Sequence, residues 1–457
     1  MTRAGFSITR REALAGALGL ALAGRVRGAT PASEILAGSG LGAMTGFALA
    51  EAGTGAVIEA HQGGLALPPA SVGKILTALY ALDRLGPARR FETRLTAGEG
   101  ALALVGGGDP LLDTDGLADL LAEAGPVAAP GRLVVDASAL PALAEIDPGQ
   151  PAQAGYNPGI AGLNLNFNRV FLAWGPGAKG PDLRLSAPGT RFEADAPGIR
   201  AEIAGAGPPR HRQDGAREIW TFSAASLAGK GSLWLPVRAP ASYAGEAFRT
   251  LAAQRGLALP APEFGPAPEG ITLARRAGDP LEPMVRDMLK YSTNLTAETI
   301  GLAASGAPDL AASGAAMTDW ARGRYGLGAG TRFANHSGLT GASKVTAAEL
   351  VRLLVAAQAQ GLPELLRERP LKGPDGKAAP VAGVRILAKT GTLNFVSALA
   401  GYVEGPGDRR LAFAILAADA DARAGMAPGV EDPPGAGAFA RRARAQEQAL
   451  LRRWIAG

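Results

Sequence analysis

The first strong pattern of apolar and polar positions after the N-terminal segment is a hairpin. Ala43 to Glu51 and Ala56 to Ala60 read as strands joined by Gly53-Thr54-Gly55. Pro68-Pro69-Ala70 then leads into a helix from Ser71 to Leu85, with Ile75, Leu79 and Leu82 at helical spacing and Gly86-Pro87 as its stop. From Arg90 to Gly278 the pattern is strand- and turn-rich, broken by frequent Gly and Pro. It turns helical again from Leu281 to Leu302 and from Ala347 to Gln360. Val384 to Thr390, Ser397 to Val403 and Leu411 to Ala417 read as three more strands. A final helix, Gly437 to Ile455, carries many arginines and a stripe of Leu450, Leu451 and Trp454. The five strands come from both ends of the chain. They predict one α/β domain over 29–89 and 279–457, with 90–278 inserted.

The N-terminus reads differently. Thr9-Arg10-Arg11 precedes an apolar run, Ala13 to Ala23, too short to span a membrane. Paired arginines before a mild Ala/Gly core predict a twin-arginine export signal over 1–28 and a periplasmic protein. That segment holds five arginines and one glutamate, so only about +1 of the formal +5 charge belongs to the remainder. The basic balance is therefore no argument for nucleic-acid binding. No later segment reads as a transmembrane helix. The basic terminal helix suits either a solvated face or weak contact with an anionic membrane surface.

Composition removes several chemistries. With no cysteine, disulfides, thiolate catalysis and cysteine-ligated metal sites are excluded. His61, His211 and His336 are scattered without metal-ligand spacing, so no metal or other cofactor is implied.

Candidate chemistry starts at Ser71-Val72-Gly73-Lys74. Of the eight lysines, only Lys74 has a serine three residues upstream, on the same helix face. A lysine can serve as a base once burial or a second cation lowers its pKa, whereas arginine cannot. Alone, such a pair is more often a solvated helix surface. Ser292-Thr293-Asn294 offers a hydroxyl for proton relay and an amide for a substrate carbonyl, but Ser and Asn also cap helices. Lys389-Thr390-Gly391-Thr392 follows an apolar strand, with a cation, a hydroxyl and a glycine that admits a substrate backbone. Gly106-Gly107-Gly108 lacks a following Gly-Lys-Ser/Thr and is no nucleotide loop.

Ser-x-x-Lys, Ser-x-Asn and Lys-Thr-Gly in this order resemble the motif set of penicillin-binding proteins and serine β-lactamases. The long insertion between the first two motifs is similar to the class C low-molecular-mass penicillin-binding proteins, the D-alanyl-D-alanine carboxypeptidase/endopeptidase family. Leu104 to Pro110, Leu163 to Asn168 after Tyr156, Asn335 to Leu339 and Ala388 to Gly401 match as well, with His336 a departure. The resemblance implies a penicillin-binding, serine β-lactamase-like α/β fold: a five-stranded antiparallel sheet flanked by helices, carrying a large strand-rich insertion. It implies a serine carboxypeptidase acting on peptidoglycan stem peptides, with β-lactams as inhibitors. Ser71 would be the nucleophile and Lys74 its base. Ser292 would relay the proton and Asn294 hold the substrate amide. Lys389, Thr390 and Thr392 would bind the terminal carboxylate beside Gly391, and the Ser71 and Thr392 N–H groups would form an oxyanion hole. The same motifs leave two other readings, a serine β-lactamase and a non-catalytic peptidoglycan-binding protein.

Overall fold

Five apolar, β-rich runs find one another across the whole length of the chain. In the computed structural model, which describes residues 30–178, 180–215, 217–407 and 409–457, Arg385–Leu393, Val396–Glu404 and Arg410–Ala418 follow one another as antiparallel neighbours. The last of these pairs with Thr45–Glu51, which pairs with Val57–His61. The antiparallel five-stranded sheet expected from the sequence is therefore closed by contacts such as Gly46 with Leu416 and Ala48 with Ala414. The export signal expected over 1–28 lies outside the described residues.

Strand alternation sorts side chains by size. Ala48, Ala50, Ala398, Ala400, Ala412 and Ala414 join the core on one face, and Phe47, Leu49, Leu399, Phe413 and Ile415 line the other. The small face lets the Ala347–Ala357 helix lie on strands Thr45–Glu51 and Arg410–Ala418, where Tyr402 donates to the Leu354 carbonyl at 2.6 Å. On the large face, the Ala436–Ala456 helix buries Leu450, Leu451 and Trp454. Its apolar stripe thus belongs to the sheet, and Arg441, Arg442 and Arg444 face outward. Among the described residues no helix is long and apolar enough to cross a membrane.

The Lys74–Leu85 helix is enclosed by helices Leu281–Tyr291, Asn294–Ser305 and Leu310–Tyr325, and every residue from Lys74 to Ala81 is buried. Two readings of this region need correction. Ser71 lies in a 3-10 turn, Ala70–Gly73, before the α-helix begins. The helical stretch expected from Leu281 to Leu302 is two helices, interrupted where Ser292 adopts left-handed backbone angles, φ 63° and ψ 35°.

The region between Phe91 and Gly278 forms three further sheets of five, four and three strands around a core running from Leu95 to Ala274. It also contains two helices that its Gly- and Pro-broken pattern hid, Thr114–Glu123 and Pro240–Gln254. The chain enters and leaves side by side: the Gly278 N–H donates to the Phe91 carbonyl at 2.8 Å, and Glu92 pairs with Ala277. The glycine run serves close packing here. A Cβ on Gly106 or Gly107 would strike the Gly162 or Glu92 carbonyl.

Candidate active site

The strand Arg385–Leu393 is the free edge of the sheet, and its two halves differ. Its lower half is covered: the Ala388 N–H donates to Arg367 O at 3.0 Å and the Arg369 N–H to Ile386 O at 2.7 Å. Strand hydrogen bonds alternate in direction, so Thr390 and Thr392 point their backbone groups to the same side as Ala388, beyond the covering segment. Thr392 is exposed there. Gly391 brings this edge onto the Ser71 turn. A Cβ at that position would lie 2.6 Å from Pro69 O and 2.9 Å from Ser71 N. The turn itself is tight, with Ala70 at φ 45°, a conformation unfavourable for a residue with a side chain.

Lys74 emerges one turn later and is completely buried. Its ammonium nitrogen has three partners: Ser71 Oγ at 2.9 Å, Asn294 Oδ1 at 2.7 Å and the Ser337 carbonyl at 2.7 Å. Burial above all, and then the nearby Lys389 cation, hold its pKa well below the usual lysine value, while Glu298 pulls the other way. An amine in this state can take the proton of the hydroxyl beside it.

The interruption at Ser292 has a geometric consequence. It turns the Ser292 hydroxyl toward Lys389, whose Nζ donates to it at 2.9 Å and to Thr390 O at 2.7 Å. Lys389 is also almost wholly buried. Burial and the Arg369 guanidinium lower its pKa to about 7. Two residues further on, Asn294 uses both ends of its amide, accepting from Lys74 and donating to the Tyr156 carbonyl at 2.9 Å. Tyr156 belongs to the inserted region, so the insertion touches the site directly. Ser71, Lys74, Ser292, Asn294, Lys389, Thr390, Gly391 and Thr392 all converge here.

Three residues come into view only in three dimensions. Arg369 donates to Thr390 Oγ1 and Ala388 O, both at 3.3 Å, and so places a permanent charge at the lip of the open edge. Nothing in its irregular, proline-flanked segment marks it. Glu298 lies one helical turn beyond Asn294, a spacing that could have drawn attention to it. Ser337 supplies a carbonyl, which no side-chain pattern reveals; its neighbour Gly338, at φ 72°, packs against Ala70 where any Cβ would collide. His336 has a structural position. It is buried, bonded through Nε2 to Ser313 Oγ at 2.6 Å and stacked on Tyr80, and burial drives its pKa to about 3, so the ring is neutral.

The chain is similar to known proteins over most of its length. The D-alanyl-D-alanine carboxypeptidase of Actinomadura sp. (strain R39) is 27% identical over 424 residues, covering 82% of this chain and 78% of that protein. Penicillin binding protein 4 from Haemophilus influenzae superposes with a TM-score of 0.70 at 20% identity, over 93% of this chain and 98% of its own. The same protein complexed with a β-lactam gives 0.68 at 19%, with the same coverage. At such identities the superpositions speak for the fold, a penicillin-binding-protein-like α/β architecture. The sequence model of the D-Ala-D-Ala carboxypeptidase 3 (S13) family matches residues 31–431, nearly the whole described chain, and the protein belongs to that family of serine peptidases.

Proposed function

We propose that this serine D-Ala-D-Ala carboxypeptidase acts on peptidoglycan stem peptides through an acyl-enzyme on Ser71. The observation that carries the reading is the buried Lys74 amine, 2.9 Å from Ser71 Oγ, in surroundings that favour its neutral form. Ser71 Oγ attacks the carbonyl between the two terminal D-alanines as its proton moves to Lys74. The Ser71 N–H and the outward-facing Thr392 N–H receive the developing oxyanion, each such donor being worth about 3–4 kcal/mol in acyl-transfer enzymes. The C–N bond breaks as the proton reaches the leaving amine through Ser292, which already contacts Lys389. Water then releases the acyl group and restores the serine.

Substrate binding follows from the open strand edge. A peptide laid along Thr390 to Thr392 would extend the sheet, with the Asn294 amide at its side. Its terminal carboxylate would meet Thr390, Thr392 and Lys389, with Arg369 adding a charge that does not titrate. The same chemistry on the D-Ala–diaminopimelate bond of a cross-link would be D,D-endopeptidase activity. β-Lactams would acylate Ser71 with opening of their ring, and the resulting ester would hydrolyse slowly. The paired arginines at 10 and 11 support export by the twin-arginine route to the periplasm, and the division into 29–89 with 279–457, and 90–278 inserted, follows the paired entry and exit strands.

The test is release of free D-alanine from a monomeric pentapeptide and cleavage of a purified cross-linked dimer, each with the wild-type protein and Ser71→Ala. Release from the monomer, abolished by the substitution, is expected. Release that survives Ser71→Ala would remove the nucleophile from the account.

A further inference from the structure

Among the described residues, Glu298 is the one fully buried carboxylate beside the Lys74 site, and the acyl-transfer steps above do not use it. Its exposure is 0%. It stands on the Asn294–Ser305 helix, four residues and therefore one turn beyond Asn294. One carboxylate oxygen accepts the His336 N–H at 2.9 Å and the other the Ser337 N–H at 2.8 Å. The peptide it holds ends in the Ser337 carbonyl, which accepts from Lys74 Nζ. A single helix thus provides one of Lys74's acceptors directly, through Asn294, and sets another through the loop that Glu298 clamps. Glu298 is not among Lys74's three partners, so its influence reaches the amine through the loop and through the field of its charge.

We infer that Glu298 is a positioning residue for the proton transfer: its carboxylate fixes the Ser337 carbonyl against Lys74 and stabilises the ammonium that forms when Lys74 takes the serine proton. The inference rests on the acyl-enzyme reading of Ser71. The groups that bear on Lys74 are Lys389 from the edge strand, which opposes its protonation, and Glu298 from the helix, which favours it. Arg369 acts one step away, on Lys389. His336, whose backbone Glu298 holds, carries a neutral ring. Among these groups Glu298 alone makes Lys74 a stronger base. A carboxylate that merely stapled the loop would matter for rate and stability, but removing it would leave the protonation equilibrium of Lys74 in place.

The experiment is the second-order rate of acylation by a chromogenic cephalosporin across pH 5–10, with intact mass confirming the adduct. Acylation rises with pH as Lys74 loses its proton. Glu298→Gln removes the charge and gives one backbone N–H an amide donor in place of an acceptor. The acid limb should move to lower pH by about one unit, and the plateau should fall about 10-fold or more. Glu298→Asp keeps the charge at a shorter reach, so the plateau should fall while the limb stays at its wild-type position. An unmoved limb in folded Glu298→Gln overturns the inference, and so does an unchanged plateau in Glu298→Asp should the glutamine variant not fold. A wild-type protein that forms no adduct would instead defeat the acyl-enzyme reading itself.

Discussion

Buried carboxylates in the inserted region and in the catalytic body use the same device for different ends. In the insertion, Asp115 accepts the backbone N–H groups of Thr190, Arg191 and Phe192, and Glu218 accepts those of Arg238 and Ala239. Each pins one segment of the insertion to another. In the catalytic body Glu298 grips the 336–337 backbone in the same way, yet the loop it grips presents a carbonyl to a buried amine. The surroundings differ as well. The catalytic body places Lys74 and Lys389 near each other, each largely stripped of water. That arrangement opposes folding and favours a reactive base. Left-handed backbone does not follow that division: Ala70 and Ser292 adopt it at the motifs, but so do Asn166, Phe167 and Asn168 in the insertion. A buried acid alone therefore says little about function; what its hydrogen bonds hold in place decides the matter.

The comparison breaks most sharply at Lys74. Lys74→Met should reduce acylation by about 10²–10⁴-fold while the protein still folds, measured as adduct formation against a thermal melt. Retained acylation would mean that the buried amine is no base. A smaller effect is expected at the edge strand. Arg369→Ala should raise KM for a carboxylate-ended peptide about 10-fold with little loss of kcat. Burial first, and the Arg369 guanidinium second, lower the pKa of Lys389 to about 7, so removing Arg369 should also move the alkaline limb of kcat/KM upward, as Lys389 keeps its proton to higher pH. A limb that moves down or not at all would contradict that coupling. The smallest effect on chemistry belongs to the insertion. Burial raises the Asp115 pKa, but its backbone donors lower it further, so the net shift is downward. Its stabilisation is present above the unfolded carboxylate value and is lost on acidification. Asp115→Asn should cost about 1–3 kcal/mol at neutral pH, with acylation per folded molecule unchanged. Lost acylation in a folded variant would show that the insertion's staples reach the chemistry.

Much of this was legible from residues alone, for identifiable reasons. The strands Arg385–Leu393, Val396–Glu404 and Arg410–Ala418 are buried on both faces, so they read as apolar runs. The Leu450, Leu451 and Trp454 stripe announced a helix that packs, and it packs on the sheet. Ser71 and Lys74 were visible because their chemistry depends on spacing along one helix face. The break at Ser292 was not visible. Left-handed serine has no local signature, and Asn294 to Ser305 continues a helical pattern. Tertiary contacts, including the bond from Lys389 to the Ser292 hydroxyl, accompany the break. Glu298 gains its role only in the fold, because its partners are backbone groups some forty positions away in sequence. Arg369 and the Ser337 carbonyl gain meaning only from the strand edge and the amine they approach.

The central claim is that a neutral Lys74 makes Ser71 the nucleophile of acyl transfer. Intact mass spectrometry after penicillin treatment, followed by peptide mapping, tests it most directly. The account predicts a single adduct of the mass of one intact penicillin, carried by the peptide containing Ser71 and absent from Ser71→Ala. An adduct on another residue, or an equal adduct in Ser71→Ala, would contradict it.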